Sequence, residues 1–348
     1  FRRRASGMIG LPMHPFELTR ALIDIDSTTG HEREVGEFLF RYLEELARTS
    51  GGAVERMAVE EGRFNVFASW GEPAVVLSTH MDTVPPFFPS SEDDEYLHGR
   101  GACDTKGGIA AMLQAARELL DEGVRGFGLL FVVGEETDSL GAQVANRQPR
   151  GSRYLINGEP TENRLALGSK GFLYLRIEAD GQAAHSAYPE LGESAIDRLL
   201  DVLARLRDLP LPSDPILGET TLNIGTLAGG RAANVVADQA QAEVTVRTVA
   251  PAAELKRRLA EAVHAVPGAR IAEIRETPAI QLGSLPGFET TIVKYTTDIP
   301  RLGAWGEPFL LGPGSIHVAH TPEERIPKRA LLAAARHYRD MVRQLLDR

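Results

Sequence analysis

Apolar and polar positions divide the chain into segments of different period. Over residues 16–48 apolar residues recur at helical spacing, and the polar sequence DSTTGHE interrupts them, which predicts two helices. Apolar runs at 65–70, 74–79 and 128–133 predict strands, and an amphipathic pattern at 106–120 predicts a helix. Strands that alternate with helices predict an α/β fold with a mixed or parallel sheet flanked by helices, in which ligands bind beyond the carboxyl ends of the strands.

The pattern changes between residues 171 and 279. Six segments there read in order as strand, helix, strand, strand, helix and strand: 172–179, 194–208, 221–227, 240–248, 252–266 and 270–276. This is the order of the ferredoxin-like split β-α-β-β-α-β sandwich. We therefore predict an inserted α+β domain at 171–279 that serves as lid and dimerisation domain. It interrupts a discontinuous catalytic, metal-binding domain at 15–170 and 280–348. Residues 1–14 are predicted to be a leader, disordered or foreign to the native chain.

Length and composition narrow the class of protein. The 348 residues, 43% of them hydrophobic, can bury a large core. No run approaches the ~18 apolar residues of a membrane span, and the start of the chain lacks the apolar core of a signal peptide, so we expect a cytoplasmic protein without a membrane partner. The single cysteine, Cys103, excludes an intrachain disulfide, and the net charge of −10 without a basic stripe indicates that nucleic acid is not a partner.

Two glycine- or strand-associated motifs carry candidate ligands. STHMDTVP places His80 directly after an apolar run and Asp82 two residues later. This is either a strand end with a capping acid, or a metal-ligating imidazole whose other ring nitrogen is held by a carboxylate. GRGACDTKGG places Asp104 between glycines ahead of a helix, as an N-cap or as a carboxylate that bridges two metal ions. Its spacing fits neither the P-loop nor the dinucleotide fingerprint, which argues against phosphoryl transfer.

Three further motifs add acids and imidazoles. FVVGEETDS ends an apolar strand with Glu135 and Glu136, which are either solvated loop acids or a metal ligand beside a general base. LINGEP places Glu159 at another strand end, and HVAHTPEER offers His317 and His320 in a loop. Histidines and carboxylates together at strand ends and glycine-rich loops make a mixed nitrogen and oxygen site that suits zinc, cobalt or manganese.

The ordered set HMDTVP, GRGACDTKGG, GEE, GEP and AHTPEE closely resembles the acetylornithine deacetylase, succinyl-diaminopimelate desuccinylase and aminoacylase family of co-catalytic zinc metallopeptidases. The resemblance runs from about residue 16 to the C-terminus. It implies two divalent ions, zinc in the first place, and a cis bond between Asp104 and Thr105. It also implies these roles: His80 and Glu159 on one ion, Glu136 and His320 on the other, Asp104 between them, and Glu135 as general base toward a metal-bridging water. His320 is chosen over His317 because it precedes a threonine and a glutamate as the family's last ligand does.

The resemblance also assigns residues of the inserted domain. His185 in GQAAHSAYP matches a histidine that reaches into the other subunit's site to stabilise the oxyanion, which implies a homodimer. Asn234 and Arg247 match residues that hold substrate, the arginine through the substrate's carboxylate. The residues alone equally allow a turn histidine, a turn-forming asparagine and an arginine on a strand surface.

The resemblance implies a metal-dependent hydrolase of the linear amide bond in an N-acyl amino acid, such as an acetylornithine or acetyl-lysine deacetylase of amino-acid biosynthesis. Dipeptides, as substrates of a dipeptidase or carboxypeptidase, and N-succinyl amino acids are alternatives with the same site. A non-catalytic metal-binding scaffold is an alternative of another class, against which an intact Glu135 argues. The segment KYTTDIPRLGAWGEP, before the last ligand, is expected to line the substrate pocket.

Overall fold

The structure is a computed structural model that describes residues 13–348. Its α-helices are α1 (Pro15–Ile23), α2 (Arg33–Ser50), α3 (Gly107–Asp121), α4 (Leu140–Asn146), α5 (Ala195–Arg207), α6 (Ala253–His264) and α7 (Lys328–Leu346). Shorter helical turns occupy Ala102–Lys106, Pro189–Leu191, Ile299–Arg301 and Gly303–Trp305. Along the part of the chain described, no helix has the length and apolar character needed to cross a membrane.

The strands vary in length from two to ten residues. They are β1 (Ala53–Glu60), β2 (Arg63–Trp70), β3 (Val75–His80), β4 (Ser91–Glu92), β5 (Tyr96–His98), β6 (Phe127–Val132), β7 (Tyr154–Asn157), β8 (Leu165–Ser169), β9 (Gly171–Asp180), β10 (Ser213–Asp214), β11 (Gly218–Glu219), β12 (Thr221–Gly229), β13 (Gln239–Thr248), β14 (Ala269–Thr277), β15 (Ile280–Gln281), β16 (Thr290–Val293), β17 (Glu307–Leu310) and β18 (Arg325–Pro327). The helices and long strands expected from the sequence lie within a few residues of their predicted bounds.

The chain divides into two compact units. The first unit comprises the described residues up to Leu167 together with Leu282–Thr291 and Thr297–Arg348, and the second comprises Gly168–Gln281 and Ile292–Thr296. The boundaries at 167 and 282 differ by two or three residues from those expected from the sequence. No sequence pattern indicated that residues 292–296 belong to the second unit.

A six-stranded sheet organises the first unit. Its order is β1-β2-β6-β3-β7-β17, with antiparallel pairing as far as β6 and parallel pairing from β6 to β17. Every residue of β3 and β6 is buried, because helices cover both faces of the parallel part of the sheet. Residues of α2, α3 and α7 pack on one face, while α4 and the turn Gly303–Trp305 pack on the other. The sheet is thus mixed, as the fold prediction allowed.

The first helix begins beside the predicted leader. His14 is the N-cap residue of α1, where its ring nitrogen accepts a hydrogen bond from the amide of Phe16, and Pro15 occupies the first helical turn. Of the leader predicted at 1–14, residues 1–12 lie outside the described residues. His14 is not disordered, because this side chain caps a helix, whereas the origin of residues 1–14 stays a prediction.

The second unit has the topology that the sequence pattern predicted. Its four-stranded sheet has the order β12-β13-β9-β14 and is antiparallel throughout, which is the split β-α-β-β-α-β arrangement. Alternate residues of β9 and β13 are buried under α5 and α6. The strand β12 forms an edge of this sheet, and most of its residues are exposed. The lid and dimerisation roles of this unit stay predictions.

Candidate metal centre

The candidate ligands of the first unit follow adjacent parallel strands. His80 is the last residue of β3, Glu135 and Glu136 follow β6, and Glu159 follows β7. Since β6, β3 and β7 are neighbours with parallel pairing, their carboxyl ends meet at one edge of the sheet. The sequence expectation that the acids and the histidine gather at this edge agrees with their placement.

Glycines allow the chain to approach this edge closely. Gly134 has a φ of 80° and turns the chain between β6 and Glu135. Gly312, in the turn after β17, lies so close to the backbone of Glu159 that an added Cβ would collide with the Glu159 carbonyl oxygen. The loop that leads to His320 can therefore pack against Glu159 only with glycine at this position.

The first donor set consists of His80, Asp104 and Glu159, whose side chains are all buried. Nε2 of His80 lies 2.9 Å from Oδ1 of Asp104 and 3.9 Å from Oε1 of Glu159. Each residue offers one ligand atom, and these atoms lie within 4.8 Å of one another. One nitrogen and two carboxylate oxygens form a donor set that suits zinc and similar divalent ions.

The second donor set consists of Asp104, Glu136 and His320, again with ligand atoms within 4.8 Å of one another. Nε2 of His320 lies 3.1 Å from Oε1 of Glu136 and 3.2 Å from Oδ2 of Asp104. His320 has a φ of 64°, and about half of its side chain is exposed. His317 is exposed and belongs to neither donor set of the described chain.

Asp104 belongs to both donor sets. It lies in the turn Ala102–Lys106 directly before α3, so that one carboxylate oxygen faces His80 and the other faces His320. The bond from Asp104 to Thr105 is cis, as the resemblance implied. A carboxylate shared in this way is the arrangement expected of a ligand that bridges two ions.

Asp82 holds the loop of the two glutamates. Its carboxylate accepts hydrogen bonds from the amides of Glu135 (3.1 Å) and Glu136 (3.2 Å) and from the hydroxyl of Thr29 (2.8 Å). Nδ1 of His80 lies 2.9 Å from the backbone carbonyl of Asp82 and 3.5 Å from its carboxylate. The sequence led us to expect the carboxylate as the partner of this nitrogen, but the carbonyl is closer because the carboxylate points to the 135–136 loop.

Charges in the centre shift the pKa values of its members. Burial opposes ionisation of Asp104, but hydrogen bonds from His320 and His80 hold the pKa of this carboxyl well below its usual range. Hydrogen bonds to Asp104 and Glu136 raise the pKa of His320 to about 10. Burial lowers the pKa of His80, yet its contacts with Asp104 and Asp82 raise that pKa overall. The acids therefore favour positive charge at this edge of the sheet.

The other three carboxyl groups are harder to ionise. Burial, followed by repulsion from Glu159, raises the pKa of Glu135 well above 4.5. Burial also raises the pKa of Glu159, against the attraction of His80, and it raises the pKa of Glu136. Several acids that repel one another in a buried place require cations or protons to compensate them.

The residues present fit divalent ions. Oε1 of Glu159 is buried and has no hydrogen-bond partner, which is costly for a carboxylate unless a cation or a proton meets it. Two donor sets that share Asp104 provide places for two ions, with nitrogen and oxygen donors in each. The arrangement can bind metal, and it keeps Glu135 outside both sets.

The remaining predicted residues belong to the second unit. His185 and Asn234 are exposed on neighbouring loops, where the amide of Ser186 donates to the carbonyl of Asn234 at 3.0 Å. Nδ1 of His185 accepts a hydrogen bond from a nearby backbone amide at 3.1 Å. Arg247 lies in β13 with its guanidinium 4.9 Å from the ring centre of Phe172, and burial lowers its pKa. The structure brings His185 and Asn234 together but not Arg247, which lies near the opposite end of β13.

Three charged residues beside the centre were missed. Arg100 and Glu324 form a buried ion pair, and Asp298 is buried in the segment expected to line the pocket. Burial raises the pKa of Asp298 to about 7, against a hydrogen bond from Ser139. Arg100 stands inside GRGACDTKGG and Glu324 inside HVAHTPEER, so both motifs contained a signal, but nothing in the sequence indicated that these two residues pair.

A mixed sheet with histidines and acids gathered at its carboxyl edge defines a metal-dependent hydrolase. A family model described as Peptidase family M20/M25/M40 matches residues 76–344, more than half of the chain, and the chain belongs to this family. It is accordingly a hydrolase of the metallopeptidase class, which confirms the predicted reaction class.

Relatives of similar length agree with this assignment. A peptidase M20 domain-containing protein of Schizosaccharomyces pombe is 41% identical, over 93% of this chain and 83% of the relative. A probable carboxypeptidase of Aspergillus terreus is 39% identical, over 93% of this chain and 84% of the relative. The crystal structure of aminopeptidase PepT from Bacillus cereus shares the fold, with a TM-score of 0.78, 21% identity and coverage of 95% of this chain and 98% of that one.

Proposed function

We propose that the protein uses two divalent ions to hydrolyse an amide bond whose nitrogen belongs to an amino acid with a free carboxylate. N-acyl amino acids, dipeptides and short peptides cut at the C-terminus all have this group. The deacetylase of amino-acid biosynthesis that the sequence suggested is one member of this class. The Aspergillus relative is named a probable carboxypeptidase, so carboxypeptidase activity is as well supported as deacetylase activity. The observation that carries the proposal is the pair of donor sets that share Asp104.

The proposed ligands divide between the two ions. His80 and Glu159 hold one ion, Glu136 and His320 hold the other, and Asp104 bridges them, in line with the contacts of each set. The mixed nitrogen and oxygen donors favour zinc, with cobalt or manganese as the alternatives. When bound, the ions supply Lewis acidity toward water and toward the amide carbonyl.

Glu135 is proposed as the general base. Its backbone amide is held by Asp82, and its carboxyl group is buried among the acids without belonging to a donor set. Glu135 takes a proton from the attacking water as the new carbon–oxygen bond forms. The same carboxyl group then gives this proton to the amine nitrogen as the carbon–nitrogen bond breaks. The products are a carboxylic acid and a free amino acid.

Arg247 is proposed to bind the substrate's carboxylate. Among the residues that the structure describes, no acid pairs with its half-buried guanidinium, and burial alone lowers its pKa. A guanidinium without an acidic partner in the protein can bind the anionic group of a ligand, and a carboxylate matches its two parallel N–H donors. The stacking on Phe172 supports the guanidinium plane without using these donors.

His185 and Asn234 are proposed to act in the partner subunit of a homodimer. The eight residue steps from Gln239 to Arg247 along β13 span roughly 26 Å, at about 3.3 Å per step. One dipeptide-sized substrate is too short to reach Arg247 at one end of this strand and the loops of His185 and Asn234 at the other. Contributions from two subunits supply both ends, and the exposed edge strand β12 supports pairing of two copies. The predicted cytoplasmic location stays a prediction.

Removal and return of metal tests the proposed function. Treatment with a chelator is expected to abolish hydrolysis, and zinc, cobalt or manganese is expected to restore it. Because the ions bind the folded chain, removing them from a solution at ~100 times Kd should lower the free energy of unfolding by about 2.7 kcal/mol for each ion lost, measured by denaturant titration. Hydrolysis that is unaffected by a chelator, in protein shown to be free of metal, would reject the proposal.

A substrate panel separates the candidate substrates. N-acetyl amino acids, N-succinyl amino acids and dipeptides are offered to the metal-loaded protein, each beside its C-terminal amide. We expect the free acids to be cleaved and the amides to be cleaved at least ~10-fold less efficiently, because the amide removes the charge that Arg247 meets. Equal kcat/KM for acids and amides would contradict carboxylate recognition. No cleavage of any compound would favour the scaffold interpretation.

Mixed subunits test the homodimer. Analytical ultracentrifugation is expected to give a mass twice the 37.8 kDa of one chain. When inactive His185→Ala and Glu135→Gln proteins are mixed and allowed to exchange subunits, half of the dimers carry one intact site, so about a quarter of wild-type turnover should return. A mixture no more active than its two components would reject the role of His185 in the partner subunit.

A further inference from the structure

A buried ion pair lies behind the shared carboxylate. Nη1 of Arg100 is 2.6 Å from Oε2 of Glu324, and both side chains are 2% exposed or less. Two further contacts hold the guanidinium of Arg100. Its Nε donates a hydrogen bond to the carbonyl of Pro86 at 3.2 Å, and its Cζ lies 4.8 Å from the ring centre of Phe88. Arg100, which these contacts hold in place, therefore fixes the position of the Glu324 carboxylate.

Glu324 connects this pair to the metal centre. Its second oxygen, Oε1, accepts a hydrogen bond from the backbone amide of Asp104 at 3.3 Å and lies 3.8 Å from Sγ of Cys103. Asp104 and the residue before it thus contact a carboxylate that comes from more than 200 positions later in the chain. His320 stands four residues before Glu324, so the same loop supplies a ligand and holds the backbone of another.

We propose that Arg100 and Glu324 are a positioning pair, which fixes the backbone of Asp104 so that its two carboxylate oxygens face His80 and His320. A bridging carboxylate must meet two ions at once, and this requires a tighter placement of its backbone than a terminal ligand does. Arg100 also compensates the charge of Glu324, which would otherwise lie buried and unpaired beside Asp104. The inference rests on the proposed role of Asp104 as a metal ligand.

The alternative is that the pair only stabilises the fold. Buried ion pairs contribute little net stability on average, because desolvation offsets their attraction, although removing one partner is costly. Loss of stability after a mutation therefore does not distinguish the two roles. The affinity for metal does, since a purely structural pair has no effect on the ions in protein that is folded.

Three variants test the positioning role. Glu324→Gln keeps an oxygen for the Asp104 amide but loses the charge, Arg100→Met loses the guanidinium, and the double variant leaves no uncompensated charge. Each single variant is expected to raise the Kd for zinc by roughly 10- to 100-fold, as outer-shell partners of metal ligands do. The double variant is expected to bind zinc no better than the single variants, because the side chain at position 324 is then no longer held by a guanidinium. Competition with a chromogenic chelator measures Kd, and the thermal melt of the metal-free protein reports folding.

A matched control comes from another ion pair of the first unit. Arg339 contacts Glu118 at 3.2 Å with 25% of its side chain exposed, so Arg339→Met should bind zinc with the wild-type Kd. Folded Glu324→Gln and Arg100→Met proteins with wild-type Kd would overturn the positioning role. If Arg100→Met does not fold, Arg100→Lys replaces it, with the same expected loss. A wild-type protein that binds no divalent ion would instead overturn the proposed function.

Discussion

Replacing Glu135 with glutamine is expected to lower kcat by roughly 10²- to 10⁴-fold while both ions remain bound. Glutamine has the size of the native side chain but cannot accept and return the proton of the attacking water. Glu135 belongs to neither donor set, and its backbone amide is held by Asp82, so the substitution should not disturb the ligands. Initial rates on the best substrate of the panel measure kcat, and elemental analysis measures bound metal.

The neighbouring glutamate provides the control for this variant. Glu136→Gln is expected to lose metal as well as turnover, because Glu136 contacts His320 within the second donor set. The two variants make the same exchange of a carboxylate oxygen for an amide nitrogen at adjacent residues, which separates proton transfer from metal binding. Wild-type turnover by Glu135→Gln, or a loss of ions as large as that of Glu136→Gln, would reject Glu135 as the base.

Asp104→Asn is expected to reduce turnover to the uncatalysed background and to reduce the bound metal from two ions to one or none. Asparagine keeps a single oxygen, so it can face His80 or His320 but cannot ligate between them. The Kd for zinc should rise by more than the ~10- to 100-fold expected for an outer-shell partner, since a direct ligand is lost. Equilibrium dialysis against increasing zinc concentrations measures both the number of bound ions and the Kd.

An exposed aspartate at the end of the following helix serves as a control for this change. Asp121→Asn alters the same functional group at the last residue of α3 and should leave metal content and kcat unchanged. Two ions bound to Asp104→Asn with wild-type affinity would show that this carboxylate does not bridge them.

Much of the centre could be predicted because its residues follow buried parallel strands. The apolar residues of β3 and β6 make the ends of these strands visible in the sequence. His80 ends β3, and Glu135 and Glu136 follow β6 after the turn at Gly134. The ferredoxin-like order of the second unit was predictable for a similar reason, since its strands alternate between a buried and a more open face.

Other features depend on tertiary contacts that no local pattern encodes. Arg100 and Glu324 are 224 positions apart, and only the packing of two loops brings them together. The sequence placed Asp82 beside His80 correctly but could not indicate that its carboxylate turns toward the 135–136 loop. The strand β1 escaped prediction because it lies at the sheet edge, where Met57 is its one buried residue, so its hydrophobic alternation is weak.

The position of β17 in the chain has a consequence for biosynthesis. This strand completes the sheet of the first unit beside β7, but the ribosome makes it only after all of the second unit. His320 emerges later still, so a nascent chain already holds His80, Asp104 and Glu159 before the last proposed ligand exists. Domains fold as they are synthesised, and contacts between distant segments form late. Capture of the second ion would therefore be possible only after the whole second unit and β17 have been made.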